Sequence, residues 1–290
     1  MVVVACTTSS GLIMLAITLE NPTVLIAPEM DYSRRFGGIA RLYGDAALAR
    51  LGVSHVYVIG IGGVGSWAAE ALARSAVGRI TLIDLDHVAE SNTNRQIHAL
   101  DGEYGRAKVQ AMASRILAIN PSCVVTQIDD FISPENVAAL LIKSTLHECV
   151  LDAIDQVRAK AALIAHCRTI DLPVVTTGAA GGRRDPTRIQ VADLARTEHD
   201  PLAARLRAQL RKSYNFPRGS KQNFGVDCVF SIEPIVRPEN AALACDIDAA
   251  PPDHISLQGL NCAGYGSAVA VTASFGMAAA ARVIDRLLAE

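Results

Sequence analysis

Aromatic residues make up only 4% of this chain, and no two cysteines stand in a Cys-x-x-Cys pair. The seven cysteines, Cys6, Cys123, Cys149, Cys167, Cys228, Cys245 and Cys262, are odd in number and irregular in spacing. That pattern speaks against a structural zinc site and a disulfide framework, and it fits a reduced, cytoplasmic setting. An excess of one charge is missing too: 27 Lys and Arg stand against 29 Asp and Glu, a formal net charge of −2. Without a global basic field, any nucleic-acid contact must use a local patch. The apolar residues 1–29 lack the basic start of a signal peptide, and Asn21, Pro22 and Pro28 interrupt them. They are expected to be a weakly ordered extension ahead of one domain at 30–290, with Met30 as the natural start. Residues 263–281 carry no charge, and their length approaches the roughly 20 residues that span a bilayer. They are rich in Gly, Ala, Ser and Thr rather than Leu, so a buried closing helix is expected. Stable membrane insertion is not expected; peripheral membrane association stays open.

What is present is aliphatic. Half of the 290 residues are hydrophobic, as in α/β proteins with buried parallel strands. Short apolar runs at 55–60, 79–84, 124–128, 149–152 and 173–177 predict strands. They alternate with helical patterns at 66–75, 108–119 and 157–168, and with a helix start at Ser133-Pro134-Glu135. A helical segment at 33–51 precedes them. The alternation predicts a doubly wound, mainly parallel Rossmann-like sheet. After Gly178 the texture changes. A basic helix at 201–212, a polar loop at 214–225, a strand at 226–236 and a loop at 238–254 are expected as elaboration of the same domain.

Gly60-Ile61-Gly62-Gly63-Val64-Gly65-Ser66 follows a strand and opens a helix. Such a turn lets backbone approach phosphate, and the helix start supplies N–H groups and positive potential. No Lys-Ser/Thr pair follows, so this is not a Walker P-loop. By itself the motif fits a dinucleotide or ATP. Asp84 and Asp86 end the next strand, where an acid usually holds a ribose hydroxyl. Asn92, Asn94, Arg95 and Gln96 come soon after, with Lys108 at a helix start. They form either a solvated loop or a phosphate grip, for which the planar Arg95 fork is suited. Asp152 and Asp155 sit at the carboxyl end of another strand. They either cap the helix that follows or hold magnesium beside a triphosphate.

Taken in order and spacing, Gly60 to Ser66, Asp84-x-Asp86, Asn92-x-x-Arg95-Gln96, Lys108 and Asp152-x-x-Asp155 resemble the adenylation domain of ubiquitin-activating-like enzymes. The resemblance implies Gly60, Gly62, Gly63 and Gly65 at the nucleotide, with Asp84 on the ribose. It implies Asn92, Arg95 and Lys108 on the phosphates, with Asp86 and Gln96 in the same site and Asp155 on magnesium. A narrower likeness covers Arg35-Phe36-Gly37-Gly38, Arg41-Leu42-Tyr43-Gly44, residues 62–74, 94–100 and 225–231. These stretches are similar to the tRNA threonylcarbamoyladenosine dehydratases, from about Tyr32 nearly to the C-terminus. The implied activity is ATP-dependent adenylation of the threonylcarbamoyl carboxylate in tRNA, followed by ring closure with net loss of water. A homodimer is also implied, and a sulfur-relay protein partner is carried as an open expectation.

Departures from the wider superfamily matter. Sulfur-carrier adenylyltransferases carry a second Arg near the start that reaches the partner subunit; Gly38 aligns with it here, and Arg41 is the substitute candidate. Gln156 follows Asp155 where Asn is common. Cys228 is either an acyl-accepting nucleophile or a core residue between Val226 and Val229. Arg183, Arg184, Arg188, Arg205, Arg207, Arg211, Lys212, Arg218 and Lys221 cluster in the second half. Arg205, Arg207, Arg211, Lys212, Arg218 and Lys221 are the expected tRNA contacts, with Tyr214 and Phe216 as candidates to stack on a base. Three rivals remain: a sulfur-carrier-protein adenylyltransferase, an NAD-dependent oxidoreductase, and a nucleotide-keeping scaffold without activity.

Overall fold

The computed structural model describes residues 2–8, 11–17, 31–219, 222–236 and 265–289. The chain divides into two compact units, Met1–Tyr32 and Ser33–Glu290. In the first, strands β1 (Val2–Thr8) and β2 (Gly11–Ile17) pair antiparallel, Val2 opposite Ile17 and Thr8 opposite Gly11. No strand is expected there from sequence.

The second unit opens with α1 (Tyr32–Tyr43) and α2 (Asp45–Val53), one helical stretch divided at Gly44. Five parallel strands follow with helices between them: β3 (His55–Ile59), α3 (Gly65–Arg74), β4 (Arg79–Ile83), α4 (Lys108–Ile119), β5 (Val124–Ile128), α5 (Val137–Leu140), β6 (Glu148–Asp152), α6 (Val157–Thr169) and β7 (Val174–Thr177). The remainder is β8 (Ile189–Asp193), α7 (Pro201–Ser213), β9 (Asp227–Ser231) and α8 (Val269–Leu288).

The seven-stranded sheet runs β5-β4-β3-β6-β7-β9-β8. All its neighbours are parallel except β8 and β9. Every residue of β3 and β6 is buried, because helices cover both faces; this is why these strands are apolar runs rather than alternations. The doubly wound expectation holds. The chain order reverses between β3 and β6, which makes their carboxyl ends the crevice where ligands bind in open α/β sheets.

Helix α8 closes the face over α3. Its buried stripe, Val271, Phe275, Ala279, Val283 and Leu287, repeats every four residues. Each of its large members adds about 1.5–3 kcal/mol by leaving water. The closing helix expected at 263–281 is present from Val269 and runs on to Leu288; residues 265–268 ahead of it are not helical. Gly276 permits close contact: a β-carbon there would lie 2.5 Å from the Val64 carbonyl oxygen. Among the described residues no helix is long and apolar enough to cross a membrane.

Three expectations change. The helix from Ser133 shrinks to Val137–Leu140, because Asn136 accepts from Ser133 N at 2.8 Å and donates to Phe131 O at 2.8 Å, holding a turn instead. The last strand of the sheet ends at Ser231, not at 236. Its edge partner β8 was not expected; half-exposed, it shows no apolar run. The expected loop at 238–254 lies outside the described residues.

Candidate functional site

The turn from β3 to α3 is tight by construction. Gly60 has φ +84°, and a β-carbon there would lie 2.9 Å from the Ala153 carbonyl oxygen. A β-carbon on Gly65 would overlap the Gly60 carbonyl oxygen. By contrast Gly62 faces open space, so its backbone is approachable. No side chain caps the start of α3, leaving its first-turn amides for an anion.

Asp84 caps this turn from β4. Its Oδ2 accepts from Ile61 N at 2.5 Å and its Oδ1 from Asp86 N at 2.8 Å. Burial pushes the Asp84 carboxyl above the usual carboxylate range, against the pull of the Lys108 ammonium and the two amides. Lys108 starts α4, and its Nζ lies 2.6 Å from Asp86 Oδ2.

The segment between β4 and α4 folds back onto the glycine turn. Buried Asn92 accepts from Ala89 N at 3.1 Å and so holds a single 3-10 turn. Trp67 Nε1 donates to the Arg95 carbonyl at 3.0 Å, and a β-carbon on Gly63 would lie 3.2 Å from Arg95 Cγ. The Arg95 guanidinium donates to Ser91 O at 2.7 Å and Asn94 Oδ1 at 2.9 Å. Among the described residues its Nε–H is buried without a partner, as is Gln96 Oε1. Burial pulls the Arg95 guanidinium below its ordinary value. An open cleft of about 450 Å³ lies beside it, bordered by Ser91, Asn94, Tyr265 and Ser267.

Asp152 and Asp155 part company. Asp152 is fully buried at the end of β6, accepting from Thr176 Oγ1 at 2.6 Å and pairing with Lys160 at 2.9 Å. Asp155 makes no hydrogen bond or ion pair among the described residues, and the helix start belongs to Gln156, without a side-chain bond. Asp155 is therefore not a cap, and its carboxylate is available. No group of three or more His, Cys, Asp or Glu residues gathers among the described residues. Asp155 ends the segment whose Ala153 carbonyl lies against Gly60; Mg²⁺ in nucleotide sites is held by one or two carboxylates together with substrate phosphates.

Other expected residues lie elsewhere. The Arg41 guanidinium lies over Gly37 of its own helix. Cys228 is 1% exposed, and burial pushes its thiol far up, so it is a core residue rather than a thiolate nucleophile. Arg183 leaves the basic surface altogether: it is buried against Asp200 at 3.2 Å and the Ser231 carbonyl. Phe216 is also buried, with the Arg168 guanidinium 3.6 Å over its ring and Phe224 edge-on at 5.0 Å. It offers no face to a base. Arg207 donates to Thr197 Oγ1, and Arg211 to the Pro217 carbonyl at 3.1 Å. Arg205, Lys212 and Arg218 are exposed; Lys221 lies outside the described residues. Sequence reasoning missed exposed Arg168 and buried Lys160. The signal for Lys160 was a lone charge between Ala159 and Ala161 on the covered face of α6.

Fold and site together define a doubly wound α/β protein with a glycine turn and an uncapped helix start at its switch point. The chain belongs to the ThiF family, whose sequence profile matches residues 32–290. It is 51% identical over 260 residues to tRNA threonylcarbamoyladenosine dehydratase of Escherichia coli strain K12, covering 89% of this chain and 95% of that protein. The crystal structure of the E. coli tRNA N6-threonylcarbamoyladenosine dehydratase in complex with ATP is similar at a TM-score of 0.78 and 49% identity, covering 90% and 96% of the two chains. Molybdopterin-synthase adenylyltransferase of E. coli strain K12 matches at 35% identity, over 44% of this chain and 49% of that protein.

Proposed function

We propose that this chain uses ATP to adenylate the carboxylate of threonylcarbamoyladenosine in tRNA and so drives its cyclisation with net loss of water. The observation that carries this is the likeness to the E. coli dehydratase, which takes in 95% of that protein's length. The likeness to a sulfur-carrier adenylyltransferase covers only 44% of this chain, which does not favour that alternative.

In this reading Asp84 holds the ribose of ATP. The amides of Gly62 and Gly63 and the start of α3 take phosphate oxygens. Lys108 exchanges the Asp86 carboxylate for a phosphate, and the unpartnered Nε–H of Arg95 turns to another. Asp155 is the residue that would hold Mg²⁺, which when bound would neutralise charge on the phosphate chain. The substrate carboxylate oxygen attacks the α-phosphorus, and the bond to pyrophosphate breaks. An internal nucleophile of the same substrate then attacks the activated carbonyl, and AMP leaves. Both reacting groups belong to one bound molecule, so ring closure gains from proximity. No enzyme thiol is needed, in keeping with buried Cys228.

Exposed Arg205, Lys212 and Arg218 provide phosphate contacts for the tRNA, with Arg168 beside them in the same half of the chain. A homodimer and a cytoplasmic setting belong to the same reading, and Val269 and Met277 on α8 stay exposed as apolar surface for a second copy. Arg41 then serves the partner's site. A sulfur-relay partner is not needed for the chemistry.

The test is AMP release from ATP with tRNA that carries or lacks the threonylcarbamoyl group. Release only with the modified tRNA, and loss of its carboxylate by nucleoside mass spectrometry, is the expected result. Equal release from both, or release driven by a Gly-Gly-tailed carrier protein, refutes it.

A further inference from the structure

Lys160 has a fully buried ammonium in the second turn of α6. A lysine carries three N–H donors, and three acceptors surround this one: Asp152 Oδ2 at 2.9 Å, the Ile154 carbonyl at 2.8 Å and the Asp152 carbonyl at 3.4 Å. All three belong to residues 152–155, the last residue of β6 and the loop after it that runs to Asp155. The rest of that loop is pinned from other sides. Ala153 N donates to Ile59 O at 2.9 Å, Ile154 N to Asp152 Oδ1 at 3.1 Å, and Thr177 Oγ1 to the Asp152 carbonyl at 3.3 Å. Among the described residues the Asp155 side chain has no hydrogen bond or ion pair, unlike that of Asp152.

A buried ammonium is expensive to desolvate, and for stability alone an apolar pair of equal volume often does as well or better. What the ammonium adds is direction. Its bond to the carbonyl next to Asp155 fixes where the loop turns outward, and the Ala153 carbonyl, between the two that Lys160 holds, lies against Gly60 of the glycine turn. We propose that Lys160 is a positioning residue: from beneath the loop it holds the Asp155 carboxylate at the cradle, where that carboxylate meets magnesium-bound nucleotide. The proposal rests on the magnesium role of Asp155 given above. It also has a part independent of it, the clamp on the loop.

The experiment compares the full-length wild type, Lys160→Met, Lys160→Met with Asp152→Asn, and Asp155→Ala. Hydrogen exchange of the Ala153 and Ile154 amides reports the loop. Calorimetry of ATP binding with and without Mg²⁺ reports the metal. In the double variant the unpaired buried carboxylate is gone, so thermal stability recovers relative to Lys160→Met. Amide protection at 153–154 should still fall, and the Mg²⁺ needed for half-maximal effect on ATP binding should rise about 10-fold or more, the usual effect of losing an outer-shell partner. Metal-free ATP affinity should change by less than about twofold, since the contacts of Asp84 and the glycine turn are intact. Recovery of the Mg²⁺ response together with stability in the double variant overturns the proposal, because Lys160 then only neutralises Asp152. Unchanged amide protection overturns the clamp. A normal Mg²⁺ response in Asp155→Ala beside lost protection in the Lys160 variants overturns the metal role of Asp155 and leaves the clamp standing.

Discussion

Lys108 and Asp86 are joined twice: the Lys108 Nζ lies 2.6 Å from Asp86 Oδ2, and the Lys108 backbone N–H donates to the Asp86 carbonyl at 2.9 Å. The lysine side chain is 7% exposed and the aspartate 74%. The covered partner is thus held by its backbone, while the exposed carboxylate is free to yield its place to a phosphate. Lys108→Met should lower kcat/KM for ATP about 100-fold or more, the scale of losing one charged group at a developing charge. Asp86→Asn should cost less. Pyrophosphate exchange kinetics decide this, and equal losses for the two variants would count against the assignment.

Asp155→Ala should bind ATP and fail to turn it over. In the proposed site the glycine turn, Asp84 and Arg95 would still meet the nucleotide, and among the described residues Asp155 makes no hydrogen bond or ion pair whose loss would unfold the chain. Calorimetry should show ATP affinity within about fivefold of wild type. Near-normal AMP production would remove Asp155 from the metal site.

Cys228→Ala should keep ring formation. The thiol is buried and stays protonated through the neutral range, because its pKa is pushed far up. The cost is one of packing, on the order of 1 kcal/mol, read as a lower melting temperature at unchanged turnover. A folded but inactive variant would return Cys228 to the chemistry.

His98 should make stability fall with acid. Burial, helped by Lys108 and Arg115, lowers its pKa from 6.5 to about 4. Below pH 6.5 the unfolded chain takes up a proton that the native state refuses. The contribution is therefore complete above pH 6.5 and is lost progressively toward pH 4. Its upper size is ~3 kcal/mol. Urea midpoints at pH 7.5 and 5 should differ less in His98→Leu than in wild type.

The exposed cations Arg205, Lys212 and Arg218 should act on tRNA alone. Replacing all three with Ala should raise the tRNA KM and shallow its dependence on salt, with ATP affinity unchanged. Arg207 and Arg211 are left out of this test because both are only half exposed. Equal salt slopes for variant and wild type would place the tRNA elsewhere.

Much of the cradle was legible because its signals are local. An apolar run such as His55–Ile59 must be buried on both faces, and glycine at 60 and 65 answers contacts within one turn. The carboxyl-end position of Asp84 and Asp155 followed from the same alternation of strand and helix. What stayed hidden depends on distant partners. Ile189–Asp193 becomes a strand only because β9 lies beside it, Ile189 opposite Ser231. Arg183 counted as surface charge until Asp200 was found against it. Lys160 looked like any helical lysine, and Asp152 like a twin of Asp155. Only the depth of the loop separates the buried, paired acid from the available one.

The close seat of Gly276 on Val64 has a consequence for synthesis. The glycine turn at residues 60–65 is made long before its roof, α8 (Val269–Leu288). A ribosome-bound chain that has completed the whole sheet still lacks the surface that presses on the start of α3. The turn therefore acquires its final shape only once α8 has emerged, and a message cut short before Val269 would yield a sheet without that roof.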